Sequence, residues 1–198
     1  MNRRTIIAGA GAFALVVAAA LAVSTAPNDT SIVDAFEVTG GVGQLVTARL
    51  MSAEVHEVRL AHELDVPYGF DDVNGTTNGV WVVVDATLTA QVQPIGTGYS
   101  ELHIGDYVFK ASDILPIPAL TDVTYGAGVP VTGTLVFEVP SSALALPGAA
   151  TATLVVRELF TAQLDSVPAI RMDLSALSIE KFATIGAAYV GDEADATR

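Results

Sequence analysis

Residues 80–92 read VWVVVDATLTAQV, and their alternation decides the fold class. Val80, Val82, Val84, Ala86, Leu88 and Ala90 fall on one face at period two, with Trp81, Val83, Asp85, Thr87 and Thr89 on the other. Successive strand side chains point to opposite sides, so this pattern is a β-strand with one face in a core. From Asp85 onward the second face is polar. Before it both faces are apolar, which places the strand centrally in its sheet and Trp81 under at least partial cover.

Working outward, Val131 to Val139 alternates in the same way, with Val131, Gly133, Leu135, Phe137 and Val139 against Thr132, Thr134, Val136 and Glu138. Glu101–Ile104 and Tyr107–Lys110 read as a hairpin around Gly105-Asp106. Val46, Ala48 and Leu50 form one strand set, and Val55, Val58 and Leu60 a second after a kink. Residues 151–160 and 169–174 predict further strands. Residues 175–190 fit either a helical stripe (Ile179, Phe182, Ile185, Tyr189) or a strand. Tyr68 to Gly79, rich in Gly, Asp and Asn, reads as turn chemistry rather than a regular element. Seven or eight short strands with turns between them predict an all-β, antiparallel β-sandwich.

The chain opens with Arg3 and Arg4, followed by an uncharged run from Thr5 to Ala26. That run is just long enough for one hydrophobic spanning helix. Ala20-Leu21-Ala22 and Ser24-Thr25-Ala26 also satisfy the small-x-small cleavage pattern of a secretory signal. Both a retained anchor and a cleaved signal fit, and the length favours the anchor. In either case Arg3 and Arg4 stay in the cytoplasm and the bulk is exported. The expected organisation is a leader over 1–26, a spacer over 27–43 in which a short helix or an added strand is allowed, a sandwich domain over 44–190 and a polar tail over 191–198. The expected location is the cell membrane with the domain outside, or secretion after cleavage.

All 22 acidic residues follow Ala26, against seven basic ones, so the exported part carries a net charge of −15. A field of that sign repels nucleic acid and anionic lipid and keeps a secreted domain soluble. There is no cysteine. Disulfides, lipid attachment at a cysteine, a thiol nucleophile and thiolate-ligated metals are therefore excluded.

The succession GVWVVVDATLTA (79–90), SELHIGDYVFKAS (100–112) and GVPVTGTLVFEVP (128–140) resembles the immunoglobulin-like, telokin-type domain of bacterial exported proteins of unknown function. Val82 to Thr89 matches that family's first strand motif and Gly128 to Pro140 its last, with Ala90 where the family usually has asparagine. The resemblance spans roughly residues 45–156. It implies an immunoglobulin-like sandwich and is nearly silent about activity.

Candidate chemistry is sparse. His56, His62 and His103 are the only histidines. On a continuous strand His56 and His62 share a face but stand about 20 Å apart, too far for one metal ion. Asp71, Asp72 and Asn74 with Gly75 could offer oxygens to calcium, but their spacing reads more simply as an Asx–Gly turn. Asn28-Asp29-Thr30 and Asn74-Gly75-Thr76 match a glycosylation pattern by accident of composition. The run GAGAFA (8–13) is ordinary for an alanine-rich leader, and Leu146-Pro147-Gly148-Ala149-Ala150 lacks the threonine and apolar tail of a wall-sorting signal. No serine lies in a Gly-x-Ser-x-Gly turn and no glycine-rich phosphate loop is present. Trp81 either packs beneath a loop or seeds a partner surface. The expectation is a non-enzymatic module of an envelope or exporter complex, with no catalytic residue, cofactor or metal. A small-ligand or calcium-binding module is the alternative.

Overall fold

A computed structural model describes residues 15–20, 35–68, 71–96, 99–113, 117, 119–158 and 165–191. Most of the leader, the Asn28 glycosylation pattern, the side chains of residues 71–74 and the tail beyond Gly191 lie outside this description. Residues 15–20 are helical and exposed. Among the described residues no helix is long and apolar enough to cross a membrane.

The domain from Ala35 onward is a β-sandwich of two sheets. One sheet joins β1 (Phe36–Gly41), β9 (Ser166–Met172), β8 (Ala152–Arg157), β5 (Tyr99–Ile104) and β6 (Tyr107–Lys110), in that order. The other runs β10 (Ile179–Thr184), β3 (Met51–Tyr68), β4 (Asp71–Ala90), β7 (Pro130–Val139) and β11 (Tyr189–Val190), with β2 (Val46–Thr47) pairing β3. The strand expected over 80–92 is the body of β4, central in its sheet. Its Val80-to-Ala90 face lies in the core between the sheets with Leu102, Ile104, Leu154, Val156 and Ile170. The 105–106 hairpin forms with Gly105 at φ 57°, a conformation glycine adopts without steric penalty.

Two expectations are corrected and one open alternative is settled. The sandwich is not purely antiparallel: β1 pairs β9, and β10 pairs β3, in parallel. Both pairs join segments far apart in sequence, so no tight turn dictates their direction. Residues 175–190 resolve as the two strands β10 and β11, because cross-strand partners override the short helical stripe. The segment Tyr68 to Gly79 is strand over most of its length, since β3 and β4 continue as a hairpin arm in which Asp65 pairs Asn74 and Leu64 pairs Gly75. A Cβ on Gly75 would stand 3.3 Å from that of Leu64, so glycine here leaves room for a core side chain. Residues 27–43, expected as a spacer, supply β1.

Two bulges shape the second sheet. Between Val55 and Glu57 the register with β4 shifts by one, inside the set expected to follow the kink. Between Ala61 and Glu63 the shift is larger, with residues 77–80 opposite His62 alone. Here β3 bends sharply. Arg59 Nη1 donates to the carbonyl of Thr184, which pairs with Asp65 six positions further on. A straight strand would separate those positions by about 20 Å, well beyond the reach of an arginine.

The bend brings the arm and β10 over the sheet's outer face. Leu64, Val66, Ala183, Ile185 and Ile117 there form a second core with Trp81, Val83 and Val136. Trp81 is therefore buried, and the reading of it as a partner surface is set aside. Both faces of β4 over Val80–Val84 are covered, as the sequence pattern required.

Candidate functional site

The outer face of the second sheet divides along β4. Trp81 and Val83 lie under the second core, whereas Asp85 and Thr87, further along the same face, remain polar. After β10 the chain crosses this polar half to reach β11 at the opposite edge. Gly186, Ala187 and Tyr189 of the crossing and β11 join His56, Glu57, Asp85, Thr132, Gly133 and Thr134 around a groove of about 310 Å³. Gly133 accommodates the crossing, because a Cβ there would stand 2.9 Å from that of Ala188.

The bulge at Val55/Glu57 supplies two of these residues. Val55 and Val58 both face the inter-sheet core, which leaves His56 and Glu57, consecutive in sequence, on the groove side. A regular strand cannot place neighbours on one face; an extra residue can. Asp85 and Thr87 of β4 stand opposite Thr134 and Thr132 of β7.

Proton accounting orients the network. Thr132 Oγ1 donates to the carbonyl of Gly191 at 2.8 Å, since a carbonyl can only accept. The 2.6 Å contact between Thr87 and Thr132 then uses the Thr87 proton. Thr87 thus accepts from His56 Nε2 at 2.7 Å, so that nitrogen carries a hydrogen. The chain runs His56 to Thr87 to Thr132 to Gly191 and ties the end of β11 to β3 through two buried hydroxyls.

A second set is centred on Asp85. Its Oδ1 accepts from Thr134 at 2.7 Å and its Oδ2 from Arg59 Nη2 at 2.6 Å. Arg59 Nε lies 3.5 Å from Glu57 Oε2, too long and poorly aligned for a hydrogen bond. Glu57 keeps 63% of its side chain exposed. With a neutral imidazole the groove carries two carboxylates against one guanidinium.

The other sequence candidates lie apart. His62 is exposed at the large bulge. His103 is on the first sheet, 3.3 Å from Glu101, which also meets Arg157 at 3.2 Å. Asp71 and Asp72 pair with Tyr68 and Pro67 as strand residues. Among the described residues no three His, Asp or Glu side chains gather where they could hold a metal ion. Of the groove residues, the sequence singles out His56 and does not point to Glu57, Asp85, Thr132, Thr134 or Tyr189 as site residues. A usable signal was present: Asp85/Thr87 and Thr132/Thr134 are paired polar positions on the outward faces of two otherwise apolar strands.

No known protein-family profile matches the chain, and no curated protein matches it. Among solved structures, an uncharacterised β-sandwich protein from Clostridium difficile 630 is similar at 12% identity and a TM-score of 0.42, over 74% of this chain and 99% of that one.

Proposed function

We propose that this chain is an exported, non-catalytic β-sandwich that serves as a binding or accessory module of a cell-envelope or exporter assembly, tethered or released at its N-terminal apolar segment. One observation carries the non-catalytic reading. His56 Nε2 donates to Thr87, and each hydroxyl beyond it spends its proton on the next acceptor. General-base activation needs the imidazole to accept a hydroxyl proton, and here the chain runs the other way. The export reading is supported by Arg3, Arg4 and the apolar run to Ala26. The strong acidic bias after Ala26 favours a soluble domain and a protein partner over nucleic acid. An immunoglobulin-like, telokin-type kinship is part of the same proposal and rests on the strand motifs at 79–90 and 128–140.

The test is intact mass and membrane partition from the native host, followed by crosslinking in the membrane fraction. A protein crosslinked to a membrane complex supports the reading. A strictly monomeric protein with no neighbour in membrane extracts overturns it. The groove favours a second reading, a module that binds a small polar ligand.

A further inference from the structure

The groove's hydrogen-bonding capacity is lopsided. Its side-chain donors are largely committed: His56 Nε2 to Thr87, the hydroxyls of Thr87 and Thr132 along their chain, Thr134 to Asp85, and Arg59 to Asp85 and to the Thr184 carbonyl. Acceptors remain. Glu57 receives no hydrogen bond from the described residues, and each Asp85 oxygen accepts one proton while having room for a second. The donors left over are Arg59 Nε, which lies 3.5 Å from Glu57 and so already offsets part of that charge, the Tyr189 hydroxyl and the backbone amides of the crossing. A sugar hydroxyl brings a donor and an acceptor together and would leave half its capacity unmet. An anion would meet two carboxylates. An ammonium group brings three donors, no acceptor and a positive charge.

Charge and shape favour the same chemistry. The acidic field of the exported part concentrates cations near its surface. Tyr189 lines the groove, and an aromatic ring can hold a cation. Small residues of the crossing (Gly186, Ala187) keep the groove open for an alkyl stem behind the charged head. Arg59 lies beside Asp85 and disfavours a compact divalent ion more than a diffuse ammonium on a carbon chain. We infer that this groove binds a primary ammonium group, with Glu57 as the principal acceptor and Asp85 as the second.

The inference rests on the small-ligand reading and is independent of any envelope partner. Two sources share the chemistry, a free polyamine and the lysine side chain of a peptide. Titration calorimetry of the full chain in mild detergent, with 1,4-diaminobutane and with Nα-acetyl-lysine amide, distinguishes them by which probe binds more tightly. Saturable binding of either probe that weakens roughly tenfold in Glu57→Gln supports the inference; that is about what one charge-assisted hydrogen bond contributes. Glu57 is mostly exposed, so the variant should fold, and an unchanged melting temperature verifies it. Binding unaffected by the substitution overturns the assignment of Glu57 and with it the site. Binding of glucose or calcium without binding of either amine overturns the ammonium class while keeping a ligand site. Failure of all four probes overturns the small-ligand reading as well.

Discussion

The Arg49 guanidinium grips the Asp165 carboxylate with two hydrogen bonds, Nε to Oδ1 and Nη2 to Oδ2, both 2.7 Å long. The pair spans the sandwich: Arg49 sits in the turn between β2 and β3, and Asp165 directly precedes β9 of the other sheet. Further bonds tie the same point down. Arg49 N donates to Ser166 Oγ at 2.8 Å, and Phe36 N donates to the Asp165 carbonyl at 2.7 Å, which fixes the start of β1. Asp165, through its carboxylate and its backbone carbonyl, thus organises three strand ends from two sheets.

Asp165 should therefore make stability pH-dependent. The hydrogen bond from Arg49 holds its carboxyl below the ordinary aspartate value of 3.8, against the opposing effect of burial. A carboxylate with a depressed folded-state value stabilises the fold above its unfolded value and loses that contribution as pH falls through the folded one. Asp165→Asn should lower the melting temperature by a few degrees at neutral pH. The gap to wild type should narrow as acid protonates the wild-type carboxyl. Thermal melts of both proteins from neutral pH down through 3.8 check this, and a constant gap would refute it.

The Arg49–Asp165 clamp was not legible in the sequence, because 116 positions separate the two residues and no periodicity links them. The body of β4 was legible, since its period-two pattern depends only on neighbours along one strand. The arm at 68–79 was misread because turn-forming residues there report local preference, while strand pairing to residues 65–68 decides the outcome. The groove falls between these cases. His56 stands out in the sequence and Asp85 only as a polar position on an outward strand face, and it takes a bulge to turn Glu57 toward them and a distant crossing to enclose them. Bulges and crossings leave little trace in a single sequence.

Trp81 offers a direct test of the second core. It is 1% exposed, and its Nε1 is buried without a hydrogen-bond partner. As the only tryptophan it reports alone, so emission should be blue-shifted and shielded from iodide. Trp81→Ala should cost about 3–5 kcal/mol through the cavity it leaves. Trp81→Phe should cost distinctly less than Trp81→Ala, because both variants remove the unpartnered donor but the phenyl ring refills most of the cavity. Urea denaturation of the two variants measures the difference. Equal losses would mean that ring volume does not matter at this position and would contradict the packing of Trp81 in the second core.

Gly133 tests the crossing. A side chain there meets Ala188 Cα at 3.0 Å and Leu120 Cγ at 3.2 Å. The Ala188 backbone cannot simply rotate away, since Tyr189 and Val190 are held by β7. Gly133→Val should destabilise the domain by about 1–3 kcal/mol through overpacking, read from the urea midpoint. It should also reduce amide protection at Tyr189 and Val190 more than at β8, where the same core continues away from the crossing. A uniform loss of protection across both sheets would contradict a local crossing.

The direction of the His56 chain is itself measurable. Because Thr132 must donate to the Gly191 carbonyl, the neutral imidazole should hold its proton on Nε2, and nitrogen chemical shifts of His56 report that tautomer. Thr132→Val removes the only hydroxyl that can pass the order along. It leaves the Gly191 carbonyl without its side-chain donor and Thr87 without an acceptor, both in buried surroundings. Each such loss costs about 1–3 kcal/mol, so the variant should unfold at clearly lower urea than Thr132→Ser, which keeps the hydroxyl. In Thr132→Val the freed Thr87 proton can turn toward the imidazole, and the tautomer should shift toward Nδ1–H. Retention of the Nε2–H signal with unchanged stability would show that the ring is oriented by other contacts and that the chain does not hold β11 in place.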